Sequence, residues 1–430
     1  SYNTFLGYRA GQGNGGAAAT SGGNNTGIGY KALIAFTTGY ENTAIGNYAG
    51  DAITTGNRNV LLGHNAGTAL NVGYRNTYIG NAAGVSDTDG RNNVAIGLNA
   101  GYYLNGSDEN TLIGNKAGFK LGDAGGGASD NDDHSSLNVA LGFAALGGGD
   151  ATVANNTARQ NVAIGWHAVG GATVDSDGTA LTSRANTAIG YKALEDVTSG
   201  GYNVAMGAEA GLNLTTGTEN VFLGQSAGNN TTDVDKTILI GSGAGQANMT
   251  SDADGTIAIG YLAGTAITSG QKNTIIGYKA GDALQTGDSA TIIGYEAGTA
   301  LTTTGEQGTT LIGKDAGKAL TTGPYNTAIG RAALKTATTT NSCIAIGDSA
   351  MQYTPASTAV IGVIGIGGSA LGDATGLDTT ANYSIAMGNG AGNNAGNLAG
   401  EFVIIGNYAG LKLNGTGVTH IGYEAGSYAS

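Results

Sequence analysis

The sequence predicts an all-β fold: a parallel β-solenoid of about 23 rungs, most of them seventeen residues long. Three observations predict it. The same short phrase returns at a fixed interval, as in "NTAIGNYAGDAITTGNR" (42–58) followed at once by "NVLLGHNAGTALNVGYR" (59–75). Glycine makes up 80 of the 430 residues without a Gly-X-Y period, which excludes collagen. Between the glycines, β-branched and aliphatic residues recur in step, which separates the chain from plain disorder.

Each element of the rung has a physical reading. Taking the glycine of every Ile-Gly, Leu-Gly or Met-Gly pair as an anchor, from Gly7 to Gly422, gives 23 copies, and twelve of the 22 intervals are seventeen residues. Most other intervals are longer, so insertions near 119–137, 146–160 and 170–185 decorate one continuous repeat domain, 1–430. Four residues before the anchor, Asn occupies the slot in 14 copies, including Asn42, Asn59, Asn76, Asn93 and Asn110. Stacked at one position, asparagines hydrogen-bond to each other along the solenoid. The slot relaxes to Thr237, Thr256, Ala290 and Cys343 farther on, which marks Cys343 as a buried spacer.

Next comes a short strand. The residue before the anchor is Ile, Leu or Met in every copy, and two positions earlier stands Thr, Val or Ile, as in Thr43/Ile45 and Val60/Leu62. Alternation puts the two on one face, which the apolar pattern assigns to the interior. The anchor glycine then permits a corner. Alanine follows three residues after every anchor, as at Ala66 and Ala83, where anything larger would be cramped. A second inward residue follows seven after the anchor (Ile53, Leu70, Leu104), and a Thr-Thr-Gly-like turn starts the next rung. Helix is the competing reading of "AGTAL", but two glycines in each nine-residue stretch cost about 1 kcal/mol apiece in a helix interior.

Composition narrows the function. The net charge of −13 opposes nucleic acid and anionic membranes, and no run of apolar residues is long enough to cross a bilayer, so neither nucleic-acid binding nor membrane insertion is expected of this chain. One cysteine excludes an internal disulfide framework and a cysteine metal cluster. No Ser/His/Asp set, paired carboxylates or metal-ligand spacing runs in step with the rungs, and His64, His134, His167 and His420 hold unrelated rung positions. The sequence therefore predicts no enzyme, no catalytic residue, and no resident cofactor or metal. Calcium is the one cofactor alternative. Asp87-Thr88-Asp89-Gly90, Asp175-Ser176-Asp177-Gly178 and Asp252-Ala253-Asp254-Gly255 open like calcium loops, but the closing glutamate position holds Leu98, Asn186 and Ala263. Turn chemistry is the simpler reading. Asp130, Asp132 and Asp133 beside His134 form an equally unspecific cluster in the longest insertion.

After the anchor, Tyr261, Tyr278 and Tyr295 fall on successive rungs, with Tyr8, Tyr30, Tyr191 and Tyr423 in the same slot. Such a row covers a corner of the solenoid by stacking, or meets a neighbouring subunit or surface glycans. Lys279 and Glu296 are expected to pair across adjacent rungs.

The strings "NTAIGNYAG", "NVAIGLNAG", "NTAIGYKAL" and "NVAMGAEAG" resemble the Asn-Ser-Val-Ala-Ile-Gly repeats of trimeric autotransporter adhesin heads, over nearly all of the chain. Similar Ala-Ile-Gly repeats occur in some phage tail-fibre shafts. The resemblance implies a left-handed β-roll, three chains side by side, binding host surfaces or its own kind. The seventeen-residue period is longer than that of those heads, and no functional residue carries over, because binding there belongs to a surface.

The expected function is thus an extracellular, cell-surface structural fibre or adhesin-like rod. The alternative is a tail-fibre or receptor-binding shaft on a virion. The few inward side chains of a rung do not offset the ordering of seventeen residues, so burial against further copies of the chain is expected. Both termini fall inside rungs, which leads to the expectation of a head-to-tail filament, while the resemblance implies a trimer as the other form of self-association.

Overall fold

The computed structural model describes residues 2–13, 21–122, 135–147, 157–170, 181–303, 308–354, 360–373, 377, 381–394, 397–412 and 414–427. Two compact units are present, 1–220 and 221–430. Each is a parallel β-solenoid. In the first, eleven three-residue strands run from Thr4–Leu6 to Val204–Met206; in the second, twelve ladder strands run from Val221–Leu223 to Thr419–Ile421. Together they account for the 23 repeats read from the anchors. A short extra pair, Asn397–Ala399 with Asn414–Thr416, lies beside the last rungs of the second unit. The one helical turn among the described residues is a 3-10 turn at Ser251–Ala253.

Register is uniform. Thr43, Ala44 and Ile45 pair with Val60, Leu61 and Leu62, which pair in turn with Thr77, Tyr78 and Ile79. Equivalent residues therefore stack vertically, and a side-chain type repeated in sequence becomes a column in space.

The inward face of the strand is the reverse of the one expected. In every buried strand pattern the middle residue points inward, for example Ala44, Leu61, Tyr78 and Leu112, all with no exposed surface. The Ile, Leu or Met before the anchor and the β-branched residue two before it both face outward, and Val60 and Leu62 keep 41% and 43% of their surface exposed. The pattern misled because the outward pair is the more regular one, while the inward residue varies from Gly to Tyr.

That variation obeys a packing rule. The residue four after the anchor also points into the core, and it is bulky only where the strand centre is Ala or Gly: Leu33 with Gly27, Leu146 with Ala140, Leu194 with Ala188, Met351 with Ala345. Where the centre is large, the partner position is glycine. A Cβ on Gly67 would sit 2.9 Å from Leu61 Cδ2, and one on Gly228 would sit 3.0 Å from the Phe222 ring. The two positions share one volume, and interiors close-pack, so only one of the pair can be large. The alanine three after the anchor (Ala49, Ala66, Ala83) is buried, as expected, in every rung but the first and the last, where Ala10 and Ala425 are half-buried.

The anchor glycine makes the corner at a backbone conformation closed to other residues: Gly97 has φ +140°, and a Cβ there would run into the carbonyl oxygen of Gly114 on the next rung. Beyond the corner the chain does not return as a loose turn. The N–H two after the anchor donates to the preceding rung (Tyr48 to Tyr30 O, 2.9 Å), and the N–H four after it donates to the following rung (Gly50 to Ala66 O, 3.0 Å). Left-handed backbone at both positions (Tyr48 φ 58°, Gly50 φ 56°) produces this alternation. The non-strand half of each rung is therefore a second hydrogen-bonded ladder, which satisfies backbone groups that burial would otherwise strand.

The asparagine column forms as predicted. Asn42 Nδ2 donates to Asn25 Oδ1 (3.1 Å) and to the turn carbonyl of Gly56 (2.9 Å), and Asn59 repeats the pattern onto Asn42 and Gly73. Each Oδ1 also accepts the next slot's backbone N–H, as in Asn42 N to Asn25 Oδ1 at 2.9 Å.

Candidate functional site

Because every rung is the same unit, the candidate site is a surface of columns. The strand contributes two adjacent outward columns. Twenty-three strands with two outward positions each give 46 positions, and all are Thr, Val, Ile, Leu or Met. The inner column, next to the anchor, is purely Ile, Leu and Met; Ile113, Met206, Ile329 and Met387 are each at least 36% exposed. Polar residues rim the strip. Before the strand lie pairs such as Arg58 Nε on Glu41 Oε2 at 2.8 Å. Past the corner, Arg331 meets Asp348 at 2.7 Å. Solvent exposure leaves such pairs little net energy.

Just past the corner stands the aromatic column. Tyr261, Tyr278 and Tyr295 stack with centroids 5.3 and 5.1 Å apart and planes within 19° and 7° of parallel. Tyr8 and Tyr30 stack at 5.4 Å, and Phe143, Trp166 and Tyr191 at 6.2 and 5.0 Å. These separations follow from the rung rise of about 4.8 Å. A cation caps the end of the Tyr261–Tyr278–Tyr295 stack, Lys314 at 5.5 Å from the Tyr295 centroid, and Lys279 lies beside its middle ring, 5.9 Å from the Tyr278 centroid. Within a stack each ring face is occupied by its neighbour, so the free parts are edges and hydroxyls. Sugar rings bind on aromatic faces, and the interior of such a column offers none.

The expected Lys279–Glu296 pair is replaced. Glu296 takes Lys318 of the following rung, and that contact holds its carboxyl below the usual range. Lys279 is drawn to the tyrosine instead. Below Trp166, Glu195 is only 3% exposed and receives Lys192 at 2.9 Å, with His167 Nδ1 at 3.4 Å. This cluster ties two rungs together at the corner.

The Asp-x-Asp-Gly turns divide their carboxylates. Asp87 points into the core, accepts the Tyr78 hydroxyl and the Gly90 N–H (2.9 Å), and burial pushes its carboxyl up to about 7, while Asp89 faces solvent. Asp254 accepts the backbone N–H of Asp235 at 2.7 Å, and Asp252 is exposed. In neither turn do the two carboxylates converge on a shared centre. Asp175 and Asp177, and the Asp130, Asp132, Asp133 and His134 cluster, lie outside the described residues. Among the described residues no cluster of three or more His, Cys, Asp or Glu is placed to hold a metal ion, and no helix is long and apolar enough to cross a membrane. Cys343 is buried in the asparagine slot, where burial pushes its thiol up.

Sequence reasoning missed two things. The exposed aliphatic strip is legible in the strictness of the Ile-Gly pairing, but strictness does not say which face is buried. The Tyr78–Asp87 pair had a signal too: one rung carries a phenol at its strand centre and, nine residues on, an acid where its neighbours have Leu70 and Leu104.

No protein-family model matches the chain, and no curated protein is found to be similar to it.

Proposed function

We propose that this chain is a structural protein, the rigid solenoid part of an extracellular or cell-surface fibre of adhesin type, which works by associating with its own kind. One observation carries the reading: what the repeat keeps most constant, after the glycine and alanine that shape the rung, is an outward surface. The inward strand residue ranges over Gly, Ala, Leu, Ile, Phe, Tyr and His, whereas its two outward neighbours stay within five residue types. The core does not need that constancy. A surface repeated rung after rung suits an extended, periodic contact rather than a point ligand. The adhesin-like repeats support the same reading.

Electron microscopy and light scattering of the purified intact chain test it. Elongated oligomers, fibres or bundles are expected. A species that stays monomeric at every concentration would refute it.

A further inference from the structure

Resting on that structural reading, we propose that the outward strand strip is a pairing surface, and that its occupant is a second copy of this chain laid face to face against it. The strip is apolar from end to end within each unit, and its only polar atoms are threonine hydroxyls at eleven of the 46 positions. In the first unit, eleven rungs at about 4.8 Å and two columns about 7 Å apart make a flat patch roughly 50 Å long and 12 Å wide. That is on the order of 600 Å² before side-chain relief is counted, comparable with the ~800 Å² per partner of a stable interface and at the upper end of what soluble monomers usually expose. An apolar centre with rims of Glu41–Arg58 and Arg331–Asp348 type is the usual layout of an interface.

Period identifies the occupant. A partner without the rung repeat falls out of step with the columns after one or two rungs. Another copy carries the same two columns at the same rise, so its side chains can interdigitate along the whole strip, as between paired sheets in a dry zipper. The charges that make up the net −13 lie off the strip, so no like charges are brought together at its centre.

Sedimentation analysis of the intact chain across about 1–100 µM tests the pairing. Three variants are compared with wild type: Ile96→Lys with Ile113→Lys on the strip, Ile96→Thr with Ile113→Thr as a milder pair, and Val72→Lys on an exposed turn away from it. The lysine pair should raise the dissociation constant at least about tenfold, the threonine pair less, and Val72→Lys not at all. Circular dichroism should stay unchanged, since the replaced side chains face outward. If the lysine pair does not fold, the threonine pair gives the same comparison, because threonine already occupies the neighbouring column. Wild-type affinity in the strip variants would overturn the assignment of this face while leaving self-association intact. A wild-type chain that never associates would overturn both.

Discussion

In the first unit, eleven successive rungs from Asn25 to Asn220 hold asparagine in the slot before the strand. The second fills the same slot with Thr237, Thr256, Asn273, Ala290, Thr309, Asn326, Cys343, Val363, Ser384, Phe402 and Val418. An asparagine does two jobs there: Nδ2 reaches both the turn carbonyl and the Oδ1 below, and Oδ1 accepts from the slot above. Two of the threonines do the first. Thr256 and Thr309 donate to Gly270 O (3.1 Å) and Gly323 O (2.9 Å). Ser384 accepts the N–H of Phe402 at 3.1 Å, and there the relay of side chains ends. Strand register is nevertheless the same in both units. The backbone ladders set the fold, and the slot adjusts how firmly each rung holds its neighbours.

The largest expected effect should ignore this difference. Gly97→Ala in the first unit and Gly277→Ala in the second each force a side chain at φ near +140° against the next rung's carbonyl. Each should cost at least about 3 kcal/mol in denaturant unfolding. A clearly smaller loss in one unit would mean that the corners, and not only the slots, differ.

A second test isolates a feature of the first unit alone. The folded-state pKa of Asp87, about 7, lies above its ordinary value of 3.8 because the carboxyl is buried. Stability from the protonated form is therefore fully present below about pH 4 and is lost as the pH rises through 7. Replacing Tyr78 and Asp87 together by Leu copies the Leu61/Leu70 rung. The double variant should gain on the order of 2–4 kcal/mol over wild type at pH 8 and little at pH 4. A gain independent of pH would show that the carboxyl is not the cause.

The slot itself gives the smallest and most direct pair of effects. Asn93→Ala removes the bond to Ser107 O (2.6 Å) and takes the Oδ1 acceptor from the Asn110 backbone N–H, while Asn110 Nδ2 keeps Ser135 O. It should destabilise by about 2 kcal/mol. Cys343→Asn goes the other way. Its amide can reach Asn326 Oδ1 and Val360 O, where the thiol now makes only a 3.5 Å contact, for a gain of about 1 kcal/mol. Hydrogen exchange at the two rungs would read both changes locally.

Much of this architecture was legible in the sequence because stacking turns repetition into geometry. Glycines in step marked the corners, the asparagines marked their column, and Tyr261, Tyr278 and Tyr295 announced their stack. The strand face was misassigned for a physical reason. Alternation says which residues share a face but not which face is buried, and here the stricter pair, such as Thr43 and Ile45, was the outer one. The burial signal lay in a correlation across six residues, Leu61 with Gly67 against Gly27 with Leu33, which a reading of single columns does not reveal. The ion pairs were the least legible: Glu296 chose Lys318 over Lys279 because long side chains reach across a corner in ways that spacing does not specify.

The alternating hydrogen bonds of the turn have a genetic consequence. Since each rung donates both to the one before and to the one after with the same offset, removing residues 59–75 would join Arg58 to Asn76 and present each neighbour with the donors and acceptors it had before. In-frame loss or duplication of whole rungs should thus be nearly silent for the rest of its unit. Reach then becomes a quantity that unequal recombination can dial up or down one step at a time.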